Sequence, residues 1–191
     1  MPNYPAAASG HFHAVRFYSE SESLAGVAAE FITEGLTLAQ PAIVIATPLH
    51  RLLIARKLST GGLDVPRLEA RNNLLLLDAN ETLSAFMVGG VPHGARLRAI
   101  LGPVMERICR GRDGCRVRAF GEMVNVLWQR GNAAAALRLE SMWNALAHEH
   151  DMAILCGYAM AAFERSATQQ GEICRHHTHV VSASGELATV N

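Results

Sequence analysis

The 191-residue sequence predicts an α/β three-layer sandwich, a mostly parallel sheet between two helical layers, and three observations carry that prediction. Short apolar runs of strand length alternate with longer segments of helical periodicity. Capping and turn residues stand at the joins between them. No apolar run approaches the roughly 18 residues needed to cross a bilayer.

The candidate strands are "HAVRFY" (13–18), "AIVIAT" (42–47), "LLLLDA" (74–79), "RVRAF" (116–120) and "MAILCGY" (152–158). After the first, Ser19 and Glu22 have capping-box spacing, and Leu24, Val27, Ala28, Phe31, Ile32 and Gly35 recur at the period of a helix. After the second, Thr47 is an N-cap with Pro48 at the first helical position, and Gly61–Gly62 ends the segment. After the third, Asp78 and Glu81 repeat the box spacing. Region 121–148 reads as two helices broken at "RGN", where Gly131 stops one and Asn132 caps the next. Leu139, Met142, Trp143 and Leu146 then form a core stripe. Residues 1–10 and 182–191 are expected to be flexible, leaving one domain over 11–181.

Lys and Arg number 17, as do Asp and Glu, so no net field recruits nucleic acid or an anionic membrane. The N-terminus lacks the basic start and apolar centre of a signal peptide, which points to a cytoplasmic protein. Cys109, Cys115, Cys156 and Cys174 contain no C-x-x-C pair and are expected to be free thiols in a reducing compartment. The arginines of "ERICRGRDGCRVR" (Arg107, Arg110, Arg112, Arg116, Arg118) fit a solvated turn better than a nucleic-acid patch, with docking of an acidic partner as the alternative.

At the first strand-to-helix turn, "FYSESESLAG" has no glycine between Tyr18 and Leu24 and no lysine to reach a phosphate. Glu20 and Glu22 would repel one from the first turn, which argues against a P-loop ATPase. The ordered motifs "HAVRFYSESESL", "AIVIATP", "LLLLDANETL", "VRAFGEMVNVLWQRGN", "AALRLESMWNALA", "AILCGYAM" and "ICRHHTHV", spanning about residues 11–181, resemble the MEDS domain, the sensory domain of DcmR-type regulators in methanogens and methylotrophs. The resemblance implies a RecA/KaiC-like sheet that has lost its P-loop, with "RVRAFGEM" where such a protein carries its Mg²⁺-binding aspartate. It also implies a non-catalytic sensor of small molecules, hydrocarbon derivatives among them, signalling to kinase or transcription machinery. With no output domain before Asn191, that partner is expected to be a separate histidine kinase or transcription regulator. No cofactor, nucleic acid or membrane is expected, and self-association is left open.

Ligands of parallel sheets bind outside the carboxyl ends of the strands. The residues expected to line such a crevice are His13, Phe17, Tyr18, Asp78, Gly121, Glu122, Trp128 and Tyr158. Glu122 stands beside Gly121 and reads as a pocket or network carboxylate paired with Arg118 or His13, or as a charge favoured at a helix N-terminus. Thr47, Asp78 and Ser19 read first as caps. No serine or cysteine stands near a histidine in a nucleophile pattern. Two alternatives remain: a nucleotide-dependent or hydrolytic enzyme using Glu122 and Asp78, and a metal-binding regulator using Cys174, His177 and His179.

Overall fold

The computed structural model describes residues 12–163, 167–182 and 184–190, so the expectation of a flexible segment over 1–10 lies outside the described residues. In chain order the elements are β1 (Phe12–Tyr18), α1 (Ser21–Thr37), β2 (Ala42–Ala46), α2 (Pro48–Thr60), α3 (Val65–Ala70), β3 (Leu74–Asp78) and α4 (Ala79–Phe86). The two-residue strands β4 (Met87–Val88) and β5 (Val91–Pro92) pair with each other and precede α5 (Gly94–Cys109). β6 (Val117–Gly121), α6 (Met123–Gln129), α7 (Ala133–His150), β7 (Met152–Ala159), a 3-10 turn, α8 (Ala167–Cys174), β8 (His179–Val181) and β9 (Leu187–Thr189) follow.

The main sheet runs β3-β2-β6-β7-β1-β8-β9. All its pairings are parallel except β8 with β9. Side chains alternate between its faces and so build two separate cores. On one face Ala14, Val44, Phe120 and Leu155 pack with Leu24, Phe31 and Ile54 of α1 and α2. On the other, Val15, Ile43, Ala119 and Ile154 pack with Leu101, Leu127 and Trp143 of α5, α6 and α7. This is the three-layer sandwich the alternation predicts, and all five candidate strands are present.

The boundaries show which capping expectations hold. Asp78 accepts hydrogen bonds from the backbone N–H groups of Asn80 and Glu81, and Asn132 accepts from Ala135. Pro48 takes the first position of α2, and Gly131 adopts a left-handed φ of 75°. Ser19 does not cap α1: the N-cap is Glu20, with no side-chain bond, and the helix begins at Ser21. Thr47 is the N-cap of α2 by position, also without a side-chain cap bond. Asp78→Ala is expected to cost about 1 kcal/mol, the usual loss for a working cap, read as a lower urea midpoint with unchanged slope.

The expectation of four free thiols needs correction. Cys109 and Cys115 form a disulfide with Cα atoms 5.6 Å apart. They flank a turn in which Gly111 and Gly114 both take positive φ, reversing the chain so that a C-x₅-C spacing closes. Cys156 and Cys174 are the free thiols. Within segment 182–191, Leu187–Thr189 pairs antiparallel with β8. Among the described residues no helix is long and apolar enough to cross a membrane.

Candidate functional site

The eight residues expected at one crevice divide between the two faces of the sheet. Tyr18 ends β1 on the α1/α2 face, whereas His13 and Phe17, of opposite parity, point with Tyr158 and Trp128 to the α6/α7 face. Asp78 is occupied as the cap of α4 and stands 4.0 Å from Arg51, so it does not join Glu122. Gly121 lies within β6, where an added Cβ would meet Trp143 at an ordinary 3.9 Å. No close approach requires a glycine there.

Glu122 is fully buried, and its partner is neither Arg118 nor His13. Arg118 turns to the α1 side, where Nε donates to Gln40 Oε1 at 2.8 Å and the guanidinium lies 4.9 Å from the Phe31 ring centroid. Glu122 instead receives the Thr47 backbone N–H on one oxygen and Nδ1 of His50 on the other. Nδ1 of His50 faces the carboxylate, which leaves Nε2 as the ring nitrogen turned toward α1. Ser21 Oγ shares a 2.9 Å hydrogen bond with Nε2. Ser21, His50 and Glu122 thus form a chain from half-buried hydroxyl through buried imidazole to buried carboxylate.

The topology makes this chain. β2 pairs with β6, so their carboxyl ends bring the first turn of α2 beside Glu122, and Glu122 N–H bonds to Ile45 O at 3.1 Å. Tyr18 packs edge-on against His50 with ring centroids 5.4 Å apart. Its hydroxyl accepts from Asn125 Nδ2 at 3.3 Å, and Asn125 Oδ1 accepts from Ala159 N–H at 3.1 Å. Burial, and then the Glu122 charge, pushes the Tyr18 hydroxyl far above its ordinary pKa, so it stays neutral. His50 and Ser21 escape a sequence reading because they are 29 positions apart, in the first turns of two different helices.

A second polar group lies across the sheet, beneath α7. His13, Glu140, Cys156 and His177 are all buried, and one potential ligand atom from each lies within 4.8 Å of the others. His13 Nε2 stands 3.2 Å from Cys156 Sγ and 3.3 Å from Glu140 Oε2. Cys156 Sγ is 3.5 Å from Glu140 Oε2, His177 Nε2 is 3.5 Å from Glu140 Oε1, and the Tyr158 hydroxyl donates to Glu140 Oε1 at 2.8 Å. Burial, against the opposing pull of Glu140, holds the His177 imidazole down to about 4, and so unprotonated at neutral pH. Burial and then the Glu140 charge push the Cys156 thiol well above its usual range.

The alternative Cys174–His177–His179 metal set is not assembled. His177 faces Glu140, whereas His179 stacks near Phe12 and shares a 2.8 Å hydrogen bond with Thr178 Oγ1. Cys174 packs beside the α6/α7 core. A groove of about 390 Å³ between α5 and α7, lined by Leu97, Arg98, Arg138 and Met142, contains none of the residues expected at the strand ends.

A parallel-sheet sandwich with buried polar networks on both faces, and acidic side chains where a phosphate loop would need open backbone, defines a non-P-loop α/β domain. The chain matches the model of the MEDS family, the methanogen/methylotroph DcmR sensory domain, over residues 12–178 and belongs to that family. No curated protein matches it.

Proposed function

We propose that this sensory domain binds a small organic molecule at the carboxyl end of the sheet, without turning it over, and relays the event to kinase or transcription machinery. The observation that supports this reading most is the Ser21–His50–Glu122 chain. Its outer hydroxyl is half-exposed, and its inner carboxylate joins β6 to the first turn of α2. A ligand that takes a hydrogen bond from Ser21 changes the partner of a buried imidazole, and with it the relative energies of the packings of α1, α2 and β6. Such a difference is what a ligand needs in order to shift a conformational population.

Short alcohols, amines and halogenated hydrocarbons form the test panel. At least one is expected to raise the melting temperature of the wild-type chain, as any ligand selective for the native state must, and to lose that effect in Ser21→Ala. No shift across the panel, or a shift unchanged in Ser21→Ala, would remove the strand-end site from the account.

One observation favours a second reading. Carboxylate, imidazole and hydroxyl stand in the order of an orienting group, a general base and a nucleophile. Acyl transfer through Ser21 would give a burst of one equivalent of nitrophenolate per chain from p-nitrophenyl acetate, with one acetyl group on Ser21. His50 would take the Ser21 proton as Oγ attacks the ester carbonyl. Absence of both burst and acetylation leaves the non-catalytic reading.

A further inference from the structure

We propose that His13, Glu140, Cys156 and His177 form a four-ligand site for a divalent transition ion, with Zn²⁺ the best match to the donor set. The site lies on the opposite face of the sheet from the Ser21–His50–Glu122 chain, and the proposal does not depend on that chain's function.

The first argument is ligand orientation. His177 Nδ1 lies 2.7 Å from Ile173 O, and a carbonyl only accepts, so the proton is on Nδ1 and Nε2 carries a lone pair. Nε2 is buried and makes no hydrogen bond. His13 is fixed in the same sense: Asn144 Nδ2 donates to His176 O at 3.0 Å, which turns Oδ1 toward His13 Nδ1 at 2.8 Å. Both imidazoles therefore donate outward and aim Nε2 at the same point, the usual outer-shell arrangement of metal-binding histidines.

The second argument is spacing. Metal–ligand bonds of about 2.0–2.3 Å in a tetrahedron place the ligand atoms roughly 3.3–3.8 Å apart. His13 Nε2–Cys156 Sγ, His13 Nε2–Glu140 Oε2 and Cys156 Sγ–Glu140 Oε2 are 3.2, 3.3 and 3.5 Å, and His177 Nε2 lies 3.5 Å from the other carboxylate oxygen, Oε1. The first three fall at or near tetrahedral edges, and one ligand atom from each of the four residues lies within 4.8 Å of the others. Two nitrogens, one sulfur and one carboxylate oxygen in four-coordinate geometry fit Zn²⁺ better than the octahedral oxygen sets of Mg²⁺ or Ca²⁺.

The third argument is charge. The centre gathers the Nε2 atoms of two imidazoles, a carboxylate and a thiol in buried space, with the Tyr158 O–H donating to the carboxylate. A buried carboxylate must be paired or coordinate a cation, and all four of these residue types are ligands that a divalent transition ion accepts at once. A divalent ion with one carboxylate and one thiolate is neutral overall, and binding releases the Cys156 proton to solvent. Four protein ligands with no open position describe a closed, structural or regulatory centre. It would tie β1 and β7 to α7 and to the segment that follows α8.

The test uses full-length chain purified without an affinity tag, stripped with a chelator and titrated with Co²⁺ and then Zn²⁺. The proposal expects one ion per chain, visible absorption of tetrahedral Co²⁺ with a thiolate charge-transfer band, and displacement of Co²⁺ by Zn²⁺. Cys156→Ser should remove the charge-transfer band, and His177→Gln should weaken binding, whereas Cys174→Ala should change neither. Asn144→Ala, which removes the partner of His13 Nδ1 and the bond to His176 O without touching the ligand atoms, should weaken Zn²⁺ binding roughly 10–100-fold. If the ligand variants fail to fold, the wild-type melting temperature decides: it should fall on chelation and recover with Zn²⁺. A Co²⁺ spectrum without the thiolate band, one unchanged in Cys156→Ser, or a melting temperature indifferent to chelator would overturn the proposal.

Discussion

Gly35→Ala is expected to destabilise the domain by about 2 kcal/mol, although alanine is the better helix former by up to about 1 kcal/mol. A Cβ at Gly35 would stand 2.2 Å from Cγ of Arg118, 3.1 Å from its Cδ and 3.2 Å from its Cβ. These are atoms at the root of a side chain that is 1 % exposed, with its guanidinium over Phe31 and its Nε on Gln40. The arginine has no free end to swing aside, so either α1 lifts from β6 or the buried cation leaves its partners. Overpacking of this kind costs typically about 1–3 kcal/mol, and the helix-propensity gain offsets only part of it. For a chain of this size a loss of about 2 kcal/mol lowers the melting temperature by roughly 4–8 °C. In an Arg118→Ala background the Cγ and Cδ contacts vanish, and the same Gly35→Ala change is expected to be neutral or stabilising. A Gly35→Ala chain as stable as wild type would show that this contact does not limit the packing of α1.

The same pair shows what was legible in the sequence. Gly35 continues the Leu24–Val27–Ala28–Phe31–Ile32 stripe and is buried as that stripe requires. Arg118 sits in an apolar strand, but alternation alone gave no sign of which helix it meets. The strands were legible because a parallel sheet covered on both faces must be nearly continuous in apolar residues. How the faces divide the functional residues was less legible. Parity along β1 separates His13 and Phe17 from Tyr18, and that period-2 signal was present in the sequence. It places them across the sheet, so one crevice cannot hold all three.

Glu140 was also readable in retrospect. Ala136, Glu140, Trp143 and Ala147 are all buried along α7, so a carboxylate occupies a core position of an amphipathic helix. A charge there must be paired or hydrogen-bonded. Its partners could not be read from local sequence, because His13 lies on β1 and His177 beyond α8, brought together only by β1 sitting between β7 and β8. The Cys109–Cys115 bridge was hidden for a smaller reason: two positive-φ glycines, not a familiar cysteine spacing, set its geometry.

Truncating Glu122 is expected to have the larger effect at the strand ends. Glu122→Ala strips the acceptor from the Thr47 N–H and from His50 Nδ1 together, leaving two donors in a region where Glu122 itself has no exposed surface. Breaking a buried, hydrogen-bonded pair from one side costs about 3–5 kcal/mol. Glu122→Gln keeps the volume and one accepting oxygen but turns an NH₂ toward a donor, so about 1–3 kcal/mol is expected. Ser21→Ala removes a half-exposed hydroxyl whose place water can take, and should cost less than 1 kcal/mol, as roughly expected for a net hydrogen bond near the surface. The order Glu122→Ala, Glu122→Gln, Ser21→Ala in urea midpoints is therefore the expected result. His50→Ala combined with Glu122→Ala should cost much less than the two single losses added, because each single change strands the other's partner. Additive losses would mean that the carboxylate is held by the backbone alone. The hydroxyl of Ser21 would then report to an imidazole with no fixed tautomer, and neither sensing nor acyl transfer through this chain would have a physical basis.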